Sequence, residues 1–430
     1  MKDKPIFKSI IEKLRFRSLL SDYLDAMGIL SGFYAYKGPP YVQIDLTNNC
    51  NNDCIGCWCN SPLLEEKEID PEVKKQTLPY KRVIGLIDEL YKMGTRYIYF
   101  AGGGEPCMHP QIMEILKHTK KRRLTCCVNT NFTLIDEVAV RNLIDLEVDH
   151  LTVSVWAGTP HVYAVTHPNK NEETFHRVKK LLTLLNRSKR KSPIIKIYNV
   201  IFNMNYHDIE AMIEFALETN SETVEFTVID TIPGKTDRLL LNNKETSQLL
   251  EKCERLKEVY QNNGSKNNVR ILGLDQFMRR ISNVGAITAE YDSDFIGSIP
   301  CYAGWGFVRI LADGNVNSCL KSHRLPVGNI LNQNFKEIWN GPLQRRFREK
   351  TRQVNKDLSF FSMIGNDPDS RMGCYKSCDN IGHNLAMHGK LASLNKFEKS
   401  FLRGLVNTLN SLGVNKGGSS NGTKKLSEIH

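Results

Sequence analysis

Short apolar runs alternate with amphipathic stretches over residues 41–230, and this alternation limits the fold more than any other feature. Six runs are rich in β-branched and aromatic residues, and a helical pattern or a long loop follows each of them. The predicted strands are Tyr41–Leu46, Tyr97–Ala101, Leu124–Val128, Leu151–Val155, Ile194–Ile201 and Val224–Ile229. The predicted helices lie near residues 80–93, 110–121, 135–145, 172–187 and 206–219. Such alternation is typical of a parallel sheet with right-handed crossover connections.

The length of this region determines how far the sheet can close. A barrel of eight strand–helix units usually needs about 250 residues, whereas this region holds six units. We therefore predict an α/β fold, in which a partial (β/α)6 TIM-like barrel is followed by a small α+β domain. The expected segments are an N-terminal helical segment (1–40), the barrel (41–240), a helical linker (241–300), the small domain (301–385) and a helix with a disordered tail (386–430).

Two amphipathic helices are expected at the ends of the chain. The first places Ile6, Phe7, Ile10, Ile11, Leu14, Leu19 and Leu20 mostly on one face, and the second spans residues 394–414. Each apolar face could pack on the main domain or lie on a membrane surface. Peripheral membrane contact is therefore one of the interactions that the sequence allows.

Composition excludes several classes of protein. The 430 residues include 58 basic and 47 acidic side chains, a formal net charge of +11, which permits an acidic partner without requiring one. No nucleic-acid-binding motif accompanies this charge, so no specific nucleic-acid partner is expected. We see neither a run of 18 apolar residues nor a signal peptide, and we expect a cytoplasmic protein. In a reducing compartment the twelve cysteines indicate metal ligands or reactive thiols rather than disulfides.

The first cysteine group follows the first predicted strand. Cys50, Cys54 and Cys57 lie within eight residues, at the end of a parallel strand where such folds build their sites. Zinc sites and simple ferredoxin clusters usually take four protein ligands. Three close thiolates would instead leave one iron of a 4Fe–4S cluster open to a substrate or cofactor.

This spacing resembles the cluster motif of the radical S-adenosylmethionine (radical SAM) superfamily. The resemblance implies that the open iron binds the amino and carboxylate groups of S-adenosylmethionine, and that an electron from the cluster cleaves it to a 5′-deoxyadenosyl radical. That radical would abstract a hydrogen atom from the substrate, while the protein supplies position and excludes water. One difference is that the residue before the third cysteine, often aromatic in the family, is Gly56 here, and Trp58 follows that cysteine.

Further motifs extend the resemblance to cofactor binding. Gly102, Gly103, Gly104 and Glu105 at the end of the second strand resemble the family's glycine-glycine-glutamate-proline motif, which holds the amino group of S-adenosylmethionine. Positions that resemble contacts to its carboxylate, ribose or adenine are Asn129, Asn131, Ser154 and Asn199. Many relatives carry an acid shortly after that serine, where this chain has Trp156.

The second cysteine group comprises Cys301, Cys319, Cys374 and Cys378. From the residues alone, four thiols in two pairs suit either a structural zinc ion or a fully ligated 4Fe–4S cluster. The spacing around Gly314, together with Gly328-Asn329-Ile330 and Phe335 to Trp339, resembles the SPASM/twitch extension of radical SAM enzymes. Four suitable cysteines fit the shorter twitch type, which implies one auxiliary 4Fe–4S cluster. A zinc site and a two-cluster arrangement with a further ligand are the alternatives.

Other candidate residues have weaker signals. Cys107 directly follows Glu105-Pro106, and it or Cys59 could donate a hydrogen atom, as a thiol does in some radical SAM epimerases. Buried cysteine is more often a small apolar side chain, which is our expectation for Cys126, Cys127 and Cys253. Loops after the fourth and sixth strands carry polar residues that could contact substrate, namely His161, Tyr163, His167, Asp230, Lys235 and Asp237.

The sequence thus predicts a radical SAM enzyme with one auxiliary cluster that acts on a small molecule, a sugar or a lipid-linked substrate. It would oxidise or rearrange this substrate and would need an external one-electron donor such as flavodoxin or ferredoxin. The first alternative is a radical SAM maturase that modifies a ribosomally made peptide. The second, from another class, is an iron–sulfur or zinc-binding protein without catalysis.

Overall fold

One mixed sheet of ten strands organises the protein in the computed structural model, which describes residues 20–64, 71–262, 269–354, 357–365, 374 and 376–415. The strands are β1 (Tyr41–Asp45), β2 (Tyr97–Ala101), β3 (Thr125–Thr130), β4 (His150–Ser154), β5 (Ile194–Ile201), β6 (Thr223–Val228), β7 (Arg270–Leu272), β8 (Phe307–Ile310), β9 (Asn315–Asn317) and β10 (Gly328–Asn329). The α-helices are α1 (20–31), α2 (Pro71–Lys75), α3 (Tyr80–Lys92), α4 (Ile112–Lys121), α5 (Glu137–Asp145), α6 (Pro160–Thr166), α7 (Glu172–Ser188), α8 (Ile209–Glu218), α9 (Asn243–Lys257), α10 (Leu274–Ser282), α11 (Ala303–Gly306), α12 (Phe335–Trp339), α13 (Pro342–Thr351), α14 (Leu358–Phe361), α15 (Ile381–Ser393) and α16 (Lys396–Ser411).

The sheet is open, and most of it is parallel. Its strand order is β10-β9-β8-β1-β2-β3-β4-β5-β6-β7, in which β8 and β1 to β7 run parallel and β9 and β10 are antiparallel additions. Within the described part of the chain, the edge strands β7 and β10 do not pair with each other. The predicted partial barrel followed by a small α+β domain is confirmed.

Side chains alternate between two faces of the sheet. On β1, Val42 and Ile44 pack into one large core with Leu86 and Leu90 of α3, so these side chains point outward to the helices. The alternate residues Gln43 and Asp45 point inward. This inner face also carries charged residues, such as Lys196 and Glu225, whose side chains pair at 2.6 Å across β5 and β6. The interior of the open barrel is therefore polar, unlike the packed core of a closed barrel.

The six strands predicted from sequence are all present, with ends shifted by two residues at most. The structure adds β7 and α10 in residues 264–300, a stretch that shows only weak periodicity in the sequence. A three-residue strand is too short to show a pattern. The pairing of β8 with β1 is also new, because local periodicity carries no information on which distant strands pair.

The two ends of the described chain pack on each other. In a small apolar cluster, Ala26 and Met27 of α1 contact Leu402 and Val406 of α16, and Tyr23 Oη donates to Glu398 at 3.1 Å. The helix predicted at residues 394–414 is confirmed as α16. The amphipathic helix predicted over residues 6–20 lies almost wholly outside the described residues, as does the predicted disordered tail from residue 417. No helix among the described residues has the length and apolar character needed to cross a membrane.

Candidate active site

The loop that follows β1 lies against the glycine run that follows β2. Gly104 N–H donates to the Thr47 carbonyl at 3.0 Å, and Glu105 N–H donates to the Asn49 carbonyl at 2.8 Å. A Cβ atom on Gly104 would lie 2.0 Å from the Asn49 carbonyl oxygen. The glycines are thus needed for close approach, and they place the backbone of this motif beside the loop that leads into Cys50.

Cys50, Cys54 and Cys57 occupy this loop, and all three thiols are partly buried. Burial is the largest influence on each of them: it raises the pKa of Cys50 to about 11 and also raises the pKa values of Cys54 and Cys57. Backbone N–H groups oppose this effect, since Asn52 N–H donates to the Cys50 sulfur at 3.5 Å, and two more N–H groups donate to Cys57. Buried thiols with N–H groups aimed at them suit thiolates whose charge a metal balances.

The three thiols are close enough to interact electrostatically, because Cys57 and Cys50 both add to the effect of burial in raising the pKa of Cys54. Among the described residues, no three His, Cys, Asp or Glu side chains already stand in a metal-binding arrangement. The donor set, three thiols on one short loop, fits the iron–sulfur cluster that the sequence implies.

Glu105 connects the end of β2 to the end of β3. Its carboxylate is 3% exposed and accepts hydrogen bonds from Thr130 Oγ1 at 2.6 Å, Asn131 N–H at 2.7 Å and Cys107 N–H at 3.1 Å. Burial raises the pKa of Glu105, although these hydrogen bonds act in the opposite direction. Both carboxylate oxygens are used within the chain, so Glu105 acts here as a brace for the strand ends.

Asn131 connects the hydrogen-bond network of Glu105 to the cysteine loop. Its Nδ2 donates to Asn51 Oδ1 at 2.9 Å and lies 4.0 Å from the Cys50 sulfur. Asn129 and Ser154 lie near the ends of β3 and β4, half-buried on the inner face. The structure thus brings Asn131, Asn129 and Ser154 to the same end of the barrel as the cysteines.

Asn199 lies elsewhere. The register of β5 places it on the outer face of the sheet, beside the core residue Phe226 of β6. Its amide is fully buried, and neither its nitrogen nor its oxygen has a partner within the described chain. The side chain points away from the face that Ser154 shares, so the structure does not bring Asn199 to the predicted cofactor site. A single polar residue in a strand carries no sequence signal of which face it takes.

Trp156 differs from the family pattern in the sequence, and in the structure it lies directly beside the cysteine loop. A Cβ atom on Gly56 would lie 3.7 Å from Trp156 Cζ3 and 2.8 Å from Ile229 Cδ1, so these side chains fill the space next to Gly56. The Trp156 backbone is left-handed, with φ of 58°, and Asn205 Nδ2 donates to its carbonyl at 2.9 Å. Its indole N–H is buried without a hydrogen-bond partner in the described chain.

The two candidate thiol donors take different places. Cys107 packs 3.8 Å from Thr130 Oγ1, behind the Glu105 brace, and burial raises its pKa well above the ordinary value. Cys59 follows the first cysteine group, and burial likewise raises its pKa well above the ordinary value. Cys126 and Cys253 are buried in the apolar core, as expected, and Cys127 is also buried.

The loop residues predicted as substrate contacts lie in different parts of the structure. Asp230 pairs with Lys321 at 2.8 Å, close to the second cysteine group. His167 is buried, and burial lowers its pKa to about 4, so it is neutral near pH 7. The His161 side chain is 83% exposed and lies outside this arrangement.

The second cysteine group forms a separate centre. Cys301, Cys374 and Cys378 line one cavity together with apolar residues from the same region. Cys319 belongs to the same centre, because Cys374, Cys301 and Cys319 all raise the pKa of Cys378, after the larger effect of burial. The four thiols predicted as a set are therefore brought together.

One arginine connects the two centres. Arg309 on β8 forms a buried ion pair with Asp45 at 2.7 Å, and its guanidinium lies 5.1 Å from the centre of the Trp58 ring. The same guanidinium donates to the Leu320 carbonyl at 2.9 Å. Trp58 follows Cys57 and Leu320 follows Cys319, so a single side chain contacts both cysteine loops. Nothing in the sequence signals this role, because it depends on the pairing of β8 with β1.

An open α/β barrel with a three-cysteine loop at the strand ends and a separate four-cysteine module is the arrangement expected of an iron–sulfur protein. Comparison with known families agrees: residues 44–216 match the model described as the radical SAM superfamily, and residues 301–359 match SPASM, an iron–sulfur cluster-binding domain. The chain belongs to the radical SAM superfamily and carries a SPASM domain. Its cofactors are S-adenosylmethionine, the 4Fe–4S cluster of the radical SAM domain and an auxiliary 4Fe–4S cluster in the SPASM domain.

Similar proteins of known activity differ in what they act on. The chain is 26% identical to the tungsten-containing aldehyde ferredoxin oxidoreductase cofactor-modifying protein of Pyrococcus furiosus, over 41% of this chain and 48% of that protein. It is 29% identical to Fe-coproporphyrin III synthase of Methanosarcina barkeri, over 27% of each chain. It is 24% identical to PqqA peptide cyclase of Gluconobacter oxydans, over 72% of this chain and 79% of that one. The chain thus spans less than half the length of the first two relatives.

A solved structure shares the fold. Streptococcus suis SuiB bound to precursor peptide SuiA superposes with a TM-score of 0.56 at 15% identity, over 79% of this chain and 72% of that one. At this identity the likeness shows the fold alone.

Proposed function

We propose that this protein is a radical SAM enzyme that abstracts a hydrogen atom from a polar small-molecule, sugar or lipid-linked substrate and then oxidises or rearranges it with one auxiliary cluster. The contact of Arg309 with Trp58 and Leu320 is the observation that carries the proposal, because it puts both cysteine loops next to one polar interior. A substrate bound there would lie between the two centres. The coarser conclusion, a catalytic radical SAM protein, follows from the domains themselves.

The residues of the chain divide into three roles under this proposal. Cys50, Cys54 and Cys57 would hold the first cluster, and the backbone of Gly102 to Gly104 would bind the ammonium of the cofactor. When bound, cluster and S-adenosylmethionine supply a 5′-deoxyadenosyl radical. Asn129, Asn131 and Ser154 would orient the rest of the cofactor from the ends of β3 and β4.

The second centre would carry electrons. Cys301, Cys319, Cys374 and Cys378 supply four thiolates, the number that a fully ligated 4Fe–4S cluster needs. Such a ligand set leaves no iron open to substrate. Lys321 lies between this centre and the barrel, paired with Asp230 at 2.8 Å and with Asp379 at 3.9 Å. This buried amine also donates to Ser377 Oγ, so it would hold the second centre against the loop that follows β6.

Iron counting with and without the first cysteine group tests this assignment. After anaerobic reconstitution we expect about eight irons in the wild type and about four when Cys50, Cys54 and Cys57 are all changed to alanine. With S-adenosylmethionine and dithionite, only the wild type should release 5′-deoxyadenosine. A fully loaded wild type that makes no 5′-deoxyadenosine would overturn the catalytic proposal. About four irons in the wild type with none in the variant would show that the second cysteine group does not bind a 4Fe–4S cluster.

A peptide substrate is the second candidate. The similarity to PqqA peptide cyclase covers 72% of the chain, and SuiB, whose structure holds a precursor peptide, shares the fold. The small-molecule and peptide candidates can be distinguished by testing extracts of the source cells for stimulation of 5′-deoxyadenosine formation. Stimulation that survives dialysis and is lost after protease treatment supports a peptide, whereas stimulation that passes the dialysis membrane and resists protease supports a small molecule.

Two partners are also proposed. An external one-electron donor such as flavodoxin or ferredoxin would reduce the first cluster. A peripheral membrane contact is supported by α16, which exposes apolar side chains next to basic residues. Two of these apolar side chains, Phe397 and Phe401, are 79% and 58% exposed.

A further inference from the structure

Helix α15 begins shortly after Cys378, and its first turns face the second cysteine group. Ile381 N–H donates to the Cys378 carbonyl at 3.2 Å, which fixes the start of the helix against that cysteine. Asn384 and Ile381 line the same cavity as Cys301 and Cys378. Asn380 is the residue directly before α15, and Asn384 lies in its first turn, where its N–H donates to the Asn380 carbonyl at 2.9 Å.

Each of these asparagines accepts a hydrogen bond from the residue that follows a cysteine. Asn380 Oδ1 accepts from Leu320 N–H at 3.0 Å, one residue after Cys319. Asn384 Oδ1 accepts from Tyr302 N–H at 2.8 Å, one residue after Cys301. Both side chains are buried, with 3% and 6% of their surface exposed. Two separate loops of the module are thus attached to the start of one helix.

The N–H groups of the cysteines themselves are already paired with other parts of the chain. Cys301 N–H donates to the Thr351 carbonyl at 2.9 Å, and Cys319 N–H donates to Ser322 Oγ at 3.1 Å. The two asparagines therefore supply direct contacts between these loops and the start of α15, in addition to Gln344, which contacts Ser318 and Gly304.

A further feature of this contact is the side-chain nitrogen of Asn380. Asn380 Nδ2 is buried and has no hydrogen-bond partner among the described residues. Leaving a buried amide N–H unpaired costs free energy, so such a group indicates a missing acceptor. The sulfur atoms of an iron–sulfur cluster accept hydrogen bonds, and these bonds influence its reduction potential.

We infer that Asn380 and Asn384 are positioning residues for the auxiliary cluster, which hold the Cys301 and Cys319 loops at cluster spacing and leave the Asn380 amide to donate to a cluster sulfur. This inference rests on the proposed assignment of the four cysteines. Residues that orient the ligands of a metal through hydrogen bonds change metal affinity by roughly 10–100-fold when they are removed.

The experiment uses the full chain with Cys50, Cys54 and Cys57 changed to alanine, so that only the auxiliary centre can take up iron. In this background we expect about four irons. N380L and N384L, which remove these hydrogen bonds without changing side-chain size greatly, should lose iron or need roughly 10-fold less chelator to release it. N384D keeps the accepting oxygen and should restore the iron content. N380D should also keep iron but should shift the potential of the auxiliary cluster, measured by electron paramagnetic resonance, to more negative values.

N340L is the matched control, because Asn340 makes a similar contact to the backbone of Ala35 at 3.0 Å in another part of the module. It should lower the thermal midpoint and leave iron and potential unchanged. Full iron with normal chelator resistance in N380L and N384L overturns the inference while the proposed function stands. A background protein that takes up no iron overturns the assignment of the auxiliary centre itself. Circular dichroism on each variant identifies any that does not fold, and the two aspartate variants then carry the test.

Discussion

Two separate constraints require glycine at position 102. Its φ is +118°, a backbone region that side chains rarely adopt, and a Cβ atom there would lie 1.8 Å from the Asp45 carboxylate. Asp45 cannot move aside easily, because it is 1% exposed and paired with Arg309. The glycine run is thus needed both for chain direction and for its close approach to β1.

Gly102→Ala should lower the free energy of unfolding by more than about 3 kcal/mol, since overpacking adds to the backbone strain. Gly94 offers a matched control: its φ is +88°, and no atom of the described residues lies within 4 Å of the position that a Cβ atom would take there. Gly94→Ala should therefore cost only about 1 kcal/mol. Urea denaturation of both variants measures the difference, and equal losses would show that the contact with Asp45 is unimportant.

Trp156 combines a left-handed backbone with a buried, unpaired indole N–H within the described chain. Both features lower the stability of the folded protein. Such unfavourable features are common at binding sites, where a bound ligand compensates for them. The planar rings of S-adenosylmethionine carry nitrogen acceptors, and Trp156 lies beside Gly56 in the cysteine loop. We expect the indole to hydrogen-bond to the cofactor.

Trp156→Phe should weaken S-adenosylmethionine binding by roughly tenfold, the loss expected for one hydrogen bond. Trp156→Leu should weaken it further, because the aromatic face is also lost. Calorimetric titration of the reconstituted protein with S-adenosylmethionine measures both affinities. Wild-type affinity in Trp156→Phe would show that the N–H has no role in binding.

At the scale of elements, the pairing of β8 with β1 joins the two domains into one sheet. Arg309 of β8 and Asp45 of β1 are 6% and 1% exposed, and they meet at 2.7 Å. A buried ion pair adds little net stability, but removing one partner leaves an uncompensated charge in the interior.

Arg309→Met should therefore destabilise the protein by about 3–5 kcal/mol, and adding Asp45→Asn should recover much of that loss. Thermal unfolding of the two single variants and the double variant completes the comparison. If the double variant is as unstable as Arg309→Met, the cost comes from lost packing of the arginine and not from the charge of Asp45.

The same pairing of β8 with β1 shows what can and cannot be predicted from sequence. Local patterns locate β2 and β5 to the residue, because apolar runs of that length have few alternatives. Cysteine spacing likewise locates both cysteine groups. Arg309 carries no such signal, since its role depends on which distant strand pairs with β8. The sequence also does not predict that the Asn199 side chain lies on the outer face of the sheet, because a single polar residue in a strand does not indicate which face it occupies.

At the scale of the whole molecule, part of the apolar surface of α16 is not covered by the residues that the structure describes. Leu402 and Val406 pack on α1, whereas Phe397, Phe401 and Leu412 are 79%, 58% and 70% exposed. Lys396 and Arg403 are exposed on the same helix, and the chain has a net charge of +11. An exposed apolar stripe beside basic side chains matches the surface of an anionic bilayer.

We therefore expect the protein to sediment with vesicles that contain anionic lipid, and to do so less at high salt. Phe397→Ser and Phe401→Ser should each reduce the partition coefficient roughly tenfold, because each removes a large apolar side chain from the interface. Val284→Ser is the control, since Val284 is 96% exposed but lies outside α16. Unchanged partition in both phenylalanine variants would exclude this helix as the membrane contact, and a shift to smaller particles in those variants would instead assign the stripe to contact between two copies of the chain.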